Sequence, residues 1–177
     1  MLVYHVVTDR PMALGQRLRF DEGHCSGVCR RVQEKEAAVA AVYASPEQYR
    51  GAALEHHLAV ALRELAMEEV RQEEYPDYPS RLRCLYASGT LAEAERWAAF
   101  FAELGRPTYA IVKIKVDGSS FCADAERCFD GSADHGLNRR LAREYWDNPY
   151  DGSGVCEILV DGQIDVVEIV KEINANV

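Results

Sequence analysis

"GVCEILVDGQIDVVEIV", residues 154–170, decides how the rest of the chain is read. Two apolar runs flank Asp161-Gly162, a residue pair favoured in tight hairpin turns, so the stretch predicts two strands joined there. Each run carries a carboxylate, Glu157 in the first and Glu168 in the second. A carboxylate buried in a strand without a partner is costly. Glu157 therefore either faces water or has a chemical purpose.

Working outward, "TYAIVKIKVDG" (108–118) sets Ala110, Val112, Ile114 and Val116 on one side and Lys113 and Lys115 on the other. That alternation marks a half-buried antiparallel strand rather than the centre of a parallel sheet. "LVYHVV" (2–7) and "LRCLYAS" (82–88) read as further strands. The segment "LGQRLRFDEGHCSGVCRR" (14–31) has no sustained period and reads as loop with at most one short strand. Helical character begins at Gln33 and breaks at Ser45-Pro46, where "SPEQ" predicts the start of the next helix. Leu54, Leu58, Leu62 and Leu65 make an apolar stripe along it. Thr90 and Glu93 form a capping box ahead of a helix lined by Leu91, Ala94, Ala98, Phe101 and Leu104. "HGLNRRLAREYW" (135–146) predicts another helix. Helices concentrated early and antiparallel-type strands late argue for an α+β fold, read as one domain over 1–177.

The chain has 177 residues, 48% of them apolar, enough for a substantial core. Lys plus Arg number 20 against 29 Asp plus Glu, a net charge of −9, which weighs against nonspecific gripping of a nucleic-acid backbone. No apolar run approaches the roughly 18 residues of a membrane helix. The start "MLVYHVVTDR" lacks the form of a signal peptide, so a cytoplasmic protein without membrane association is expected. Six cysteines are expected as reduced thiols, and no metal site is expected: the Cys25–Cys29 and Cys122–Cys128 spacings are wide for paired ligands. His56 and His57, about 100° apart on a helix, cannot ligate one metal as an i, i+4 pair can. There is no Gly-rich phosphate loop, HExxH or serine elbow.

Three polar residues stand in strand-like runs: His5, Tyr86 and Glu157, with Ser88 closing the run that carries Tyr86. Singly, each has an ordinary explanation as a satisfied core or turn residue. Together and in this order, "VYHVVTD", "LYASGTLAEAERWAAF" and "CEILVDGQIDVVEIV" resemble the ADP-ribosyltransferase fold, in the group with a His-Tyr-Glu arrangement and especially its small bacterial members. The resemblance runs from Tyr4 to Val170. It implies a split antiparallel sheet whose cleft binds NAD as substrate. It implies that His5 holds ribose hydroxyls, that Tyr86 stacks on the nicotinamide, and that Glu157 touches the nicotinamide ribose. Thr8 and Ser88 fall at the nucleotide edge. Arg17 and Arg19 follow the first strand, where they can meet the pyrophosphate or serve as surface charge.

Such residues suit the chemistry. Cleaving the nicotinamide–ribose bond builds positive charge on the sugar, which a fixed carboxylate stabilises. A tyrosine face suits a flat aromatic cation. The implied activity is transfer of ADP-ribose to a macromolecule, protein or nucleic acid, by a bacterial toxin or conflict protein with a possible cognate antitoxin. NAD hydrolysis, RNA 2′-phosphotransferase-like chemistry and a noncatalytic interaction domain are the alternatives. Val155 and His5 stand where the arginine-modifying branch has its second acid and first-strand arginine, so arginine modification is not implied. A basic groove near His5, built from Arg81, Arg83 or Arg96, would favour the RNA reading.

Overall fold

The computed structural model of the chain describes residues 1–8 and 10–173. Its architecture is α+β, with two antiparallel sheets and, among the described residues, four α-helices. Strands β1 (Leu2–Val7), β2 (Arg17–Phe20), β4 (Ala110–Asp117) and β7 (Gly162–Glu172) form the larger sheet in the order β1-β4-β7-β2. Strands β3 (Leu85–Ala87), β5 (Ser120–Asp124) and β6 (Cys156–Val160) form the smaller, in the order β3-β6-β5.

The predicted hairpin at Asp161-Gly162 does not form. The two late strands are present, but β6 pairs with β3 and β5 while β7 pairs with β4 and β2. Asp161-Gly162 is instead a corner between sheets, and its counterpart is the corner from β4 to β5 at Gly118. Both corners carry the triplet Val-Asp-Gly, at 116–118 and 160–162. They cross at van der Waals range: a Cβ on Gly118 would lie 2.2 Å from the Asp161 carbonyl oxygen, and one on Gly162 would lie 2.5 Å from that of Asp117. Gly162 also holds φ at +80°, a left-handed value that glycine adopts without strain. The Asp161 carboxylate accepts hydrogen bonds from the Ser119 backbone N–H (2.8 Å) and hydroxyl (2.7 Å), locking one corner to the other.

Away from the corners, a backbone bridge among the described residues joins the sheets. Tyr4 and Ser88 exchange two backbone hydrogen bonds, of 2.9 and 2.8 Å, linking β1 to β3. Between the sheets lies a core drawn from both: Val3, Val7, Val112, Ile114, Ile164 and Val166 from the larger, Leu85, Ala87, Cys156, Ile158 and Val160 from the smaller. The side of β4 expected to be buried is the side that faces this core.

Helices cover the outer faces. Helix α3 (Leu91–Glu103) packs Ala94 and Ala98 on Val6 and Ile111, and the capping box of Thr90 and Glu93 forms as expected. Leu104 is the exception on its stripe, 65% exposed beyond the helix end. Helices α2 (His56–Glu74) and α4 (His135–Asp147) cover the smaller sheet, with Met67, Val70, Tyr145 and Trp146 against Phe121, Ala123 and Leu159. Helix α1 (Gly27–Ala44) lies on α2 through Val32, Val39 and Val42, meeting the expected leucine stripe.

Two helix starts differ from expectation. Helix α1 opens at Gly27, six residues early, because the Ser26 hydroxyl caps the Cys29 N–H at 3.1 Å. "SPEQ" closes a single 3-10 turn, Pro46–Gln48, and α2 starts only at His56, where the Glu55 carboxylate accepts from the His57 and Leu58 N–H groups. His56 and His57 are exposed. Among the described residues, no helix is long and apolar enough to cross a membrane.

Candidate functional site

Strand periodicity sets the site. Along β6 Cys156, Ile158 and Val160 enter the core between the sheets, so Glu157 and Leu159 must point to the opposite face, beneath α2 and α4. Tyr86 on neighbouring β3 points the same way, between inward-facing Leu85 and Ala87. Glu157 is therefore buried, at 7% exposure.

The group that meets it is Arg81. The segment leading to Arg81 is clamped to α2: the Ser80 hydroxyl donates to Glu68 at 2.8 Å, and Arg71 donates to the Tyr78 carbonyl at 3.0 Å. Arg81 then donates from Nη1 to Glu157 Oε1 at 2.5 Å and to the Tyr145 hydroxyl at 2.6 Å. From Nε it donates to Glu64 Oε2 at 2.9 Å. The Tyr145 hydroxyl donates to Glu157 Oε1 at 2.9 Å, and the Tyr86 hydroxyl donates to the Arg81 carbonyl at 3.0 Å. The guanidinium carbon lies 5.4 Å from the Tyr86 ring centre and 5.0 Å from that of Tyr145, within cation–π range. Arg63 completes the cluster, donating to Glu64 Oε1 at 3.0 Å and to the Phe129 carbonyl at 3.2 Å.

Two arginines and two glutamates balance. Burial opposes ionisation of Glu64, but Arg81 and Arg63 outweigh it and hold its carboxyl below the usual range. Burial likewise opposes the charge on Arg81, and Glu157 and Glu64 overcome it. Among the described residues, no buried side-chain nitrogen or oxygen lacks a partner.

His5 lies elsewhere. It pairs with Val112 on β4, so it shares the inner face of the larger sheet with Val3 and Val7. Its Nδ1 sits 2.7 Å from the Tyr86 carbonyl oxygen, at the seam where β1 and β3 part after the bridge of Tyr4 and Ser88. A carbonyl only accepts, so Nδ1 carries the proton. Burial, against the pull of this hydrogen bond and with help from Arg106, lowers the imidazole pKa to about 4. Nε2 is then an unprotonated acceptor, and it is not a buried orphan.

The sign of the His5 contribution follows. A histidine whose folded pKa lies below its unfolded value stabilises the fold above the unfolded pKa and loses that contribution as pH falls from about 6.5 to about 4. Urea midpoints at pH 7 and pH 5 should therefore fall further for the wild type than for His5→Asn. An equal fall in both would remove His5 as the source.

The structure thus brings Tyr86 and Glu157 together around Arg81, and joins His5 to Tyr86 through the latter's backbone. It does not set the His5 side chain on the Glu157 face. Ser88 is buried at the bridge, and Thr8 is half-buried just past β1. Arg17 is exposed and bonded to Asp165 across the β2–β7 pair at 2.8 Å. Its strand lies three strand spacings from that of His5, roughly 14 Å. Two nearby aromatics are held in packing roles, Trp97 donating to the Cys156 carbonyl at 3.2 Å and Tyr109 packing on the inner core.

Among the described residues, hollows open on the surface. One of about 860 Å³ lies among Tyr43, Tyr49, Arg50, Asp130, Asp134 and His135, and one of about 200 Å³ among Pro11, Met12, Tyr109 and Ile169. Neither is lined by His5, Tyr86 or Glu157, although Ile169 is the next neighbour of His5 across Val112.

Sequence reasoning missed the partners of Glu157. Glu64 stands three residues from buried Ala61 and Met67, a carboxylate on the apolar side of its helix. That position signalled a buried ion pair. Arg81, in a proline-punctuated link, gave no such signal.

Fold and site define an α+β protein of two corner-linked antiparallel sheets, with a charge-balanced cluster under the helices of the smaller. The chain belongs to the family described as protein of unknown function (DUF2441), whose model matches residues 3–172. No curated protein matches it.

Proposed function

We propose that this chain transfers ADP-ribose from NAD to a macromolecular acceptor and releases nicotinamide, on an ADP-ribosyltransferase-like split sheet. The observation that carries this is the cation held between Tyr86 and Glu157. NAD presents a planar pyridinium on a ribose that gains positive charge as the bond breaks, and Arg81 presents a planar delocalised cation to the same ring and carboxylate. The division of the antiparallel strands into two sheets that part beside His5 supports the same reading. So does the neutral His5 at the seam, whose Nε2 can accept from a ribose hydroxyl, with Thr8 just past the end of the same strand and Ser88 in the bridge to Tyr4.

Arg81 fills the place the nicotinamide would take, so the described state is a closed one. Turnover requires Arg81 to leave Glu157, and its second carboxylate partner, Glu64, gives it somewhere to remain paired. Arg17 stands opposite Asp165 on the outer face of the larger sheet, while its neighbour Leu18 faces the core, so it points away from the His5 face and does not belong to this site. A toxin role with a cognate antitoxin, and a cytoplasmic setting, belong to the same proposal.

Nicotinamide release from NAD by the wild type and by Glu157→Gln, with and without cell extract, tests it. Release by the wild type should fall by about 100-fold or more in the variant. Dependence on extract would indicate an acceptor, and release without it would indicate NAD hydrolysis. A folded wild type that neither releases nicotinamide nor binds NAD would overturn the proposal. One observation favours a noncatalytic interaction domain instead: Glu157 is fully partnered by Arg81 and Tyr145 as a core ion pair. Of the three arginines named for a basic groove, Arg81 is buried in that pair and cannot line one, whereas Arg83 is half-buried and Arg96 exposed.

A further inference from the structure

Two thiols stand closer together than any other pair of side-chain sulfurs described. Cys25 Sγ and Cys29 Sγ are 2.6 Å apart, both uncrosslinked. The Ser26 cap explains the approach. Cys25 directly precedes the extended cap residue Ser26 while Cys29 lies in the first turn of α1, and their sulfurs meet across the cap. The cap is itself anchored, since the Ser26 N–H donates to the Leu82 carbonyl at 3.2 Å.

The chain carries an internal comparison. Cys122 and Cys156 lie 3.2 Å apart through sulfur, on paired strands β5 and β6. Cys122 stands opposite Ile158 and Cys156 opposite Asp124, so the two are diagonal neighbours. Diagonal backbones are about 7–8 Å apart, whereas a disulfide spans Cα separations up to about 7 Å. Cys156 is also buried in the inner core. Cys25, by contrast, is half-exposed.

We propose that Cys25 and Cys29 form an oxidisable dithiol, a modification site that closes to a disulfide at the start of α1 when it meets a small-molecule disulfide. The Cys25 thiolate attacks one sulfur of oxidised glutathione, forming a mixed disulfide and expelling one glutathione thiolate. Cys29 then gives up its proton and attacks the Cys25 sulfur, and the second glutathione leaves. Two protein thiols are oxidised and one glutathione disulfide is reduced to two thiols. The order of attack follows from burial, which pushes the Cys29 thiol up to about 11 and keeps it protonated until the mixed disulfide is beside it. This site is independent of the chemistry proposed at Glu157.

The test uses the reduced full-length chain, incubated with oxidised glutathione, quenched by alkylation and digested with trypsin. Both cysteines fall on one tryptic peptide, Phe20 to Arg30. In the wild type that peptide should be two hydrogens lighter and carry no alkyl group, and dithiothreitol before quenching should restore both sites. Cys29→Ser should stop at the glutathione adduct on Cys25. The proposal is overturned if the wild-type peptide is alkylated at both cysteines, if it accumulates the glutathione adduct, or if Cys122 and Cys156 are crosslinked first.

Discussion

Arg81→Ala should lower the free energy of unfolding by about 3–5 kcal/mol, the usual cost of stranding buried charge. The substitution leaves Glu64 with Arg63 alone and Glu157 with no cation, its remaining described partners being Tyr145 and a long contact from Cys128 at 3.7 Å. Urea denaturation at pH 7 measures the loss. Two further results separate charge from packing. Adding Glu157→Gln to Arg81→Ala should recover part of the stability, because Glu157 is the carboxylate left without a cation and the substitution removes its charge.

Acid should also narrow the gap between variant and wild type. In the wild type, Glu64 is held below its usual pKa, so its contribution is present above the unfolded value and is lost as pH falls through the folded one. In the variant Glu64 keeps only Arg63 of the two cations that lower its pKa, so it protonates more readily and its burial costs less. A deficit that stays constant from pH 7 to pH 4 would mean that Arg81 matters through packing alone.

Gly118→Ala is the second large effect expected. The new methyl would meet the Asp161 carbonyl at 2.2 Å and the Gly162 Cα at 2.8 Å, backbone atoms that cannot swing aside as a side-chain tip can. The two sheet corners would have to separate, at a cost of about 3 kcal/mol or more. Gly89→Ala is the control, since its methyl would meet only Glu93 Oε2 at 3.5 Å and Ile158 Cδ1 at 3.7 Å, ordinary contacts. Thermal or urea midpoints of the two variants should therefore differ sharply. Similar midpoints would show that the corners are not in tight contact.

The Gly118 site shows what the sequence made legible and what it hid. Alternation in β4 identified its buried side, because a period of two is a local property of one strand. Pairing is not local. The same Asp161-Gly162 that satisfies a hairpin turn also satisfies a crossover, and only the second Val-Asp-Gly at 116–118 hinted that two corners meet. Strand β5 was missed for a related reason. "SFCAD" is five residues long, and its alternation of Phe121 and Ala123 is too short to stand out without the neighbour that pairs with it.

The functional residues divide the same way. His5, Tyr86 and Glu157 were visible as polar residues in apolar strands. Which face each occupies depends on where its strand lies in the sheet, and β6 turned Glu157 away from His5. Arg81 was invisible as a partner because an arginine among prolines reads as surface.

The arrangement of corners and bridge gives the molecule a spine and a clasp. At the spine, two chain crossings and the Asp161 carboxylate hold the sheets rigidly together. The clasp is two backbone hydrogen bonds between Tyr4 and Ser88, with the His5 imidazole on the Tyr86 carbonyl as a third. Like the covers of a bound book, the sheets can part most cheaply at the edge farthest from the spine. The amides of Tyr4 and Ser88 should therefore exchange with solvent well before those of Ile114 and Val166, and the first residue uncovered by that motion is His5.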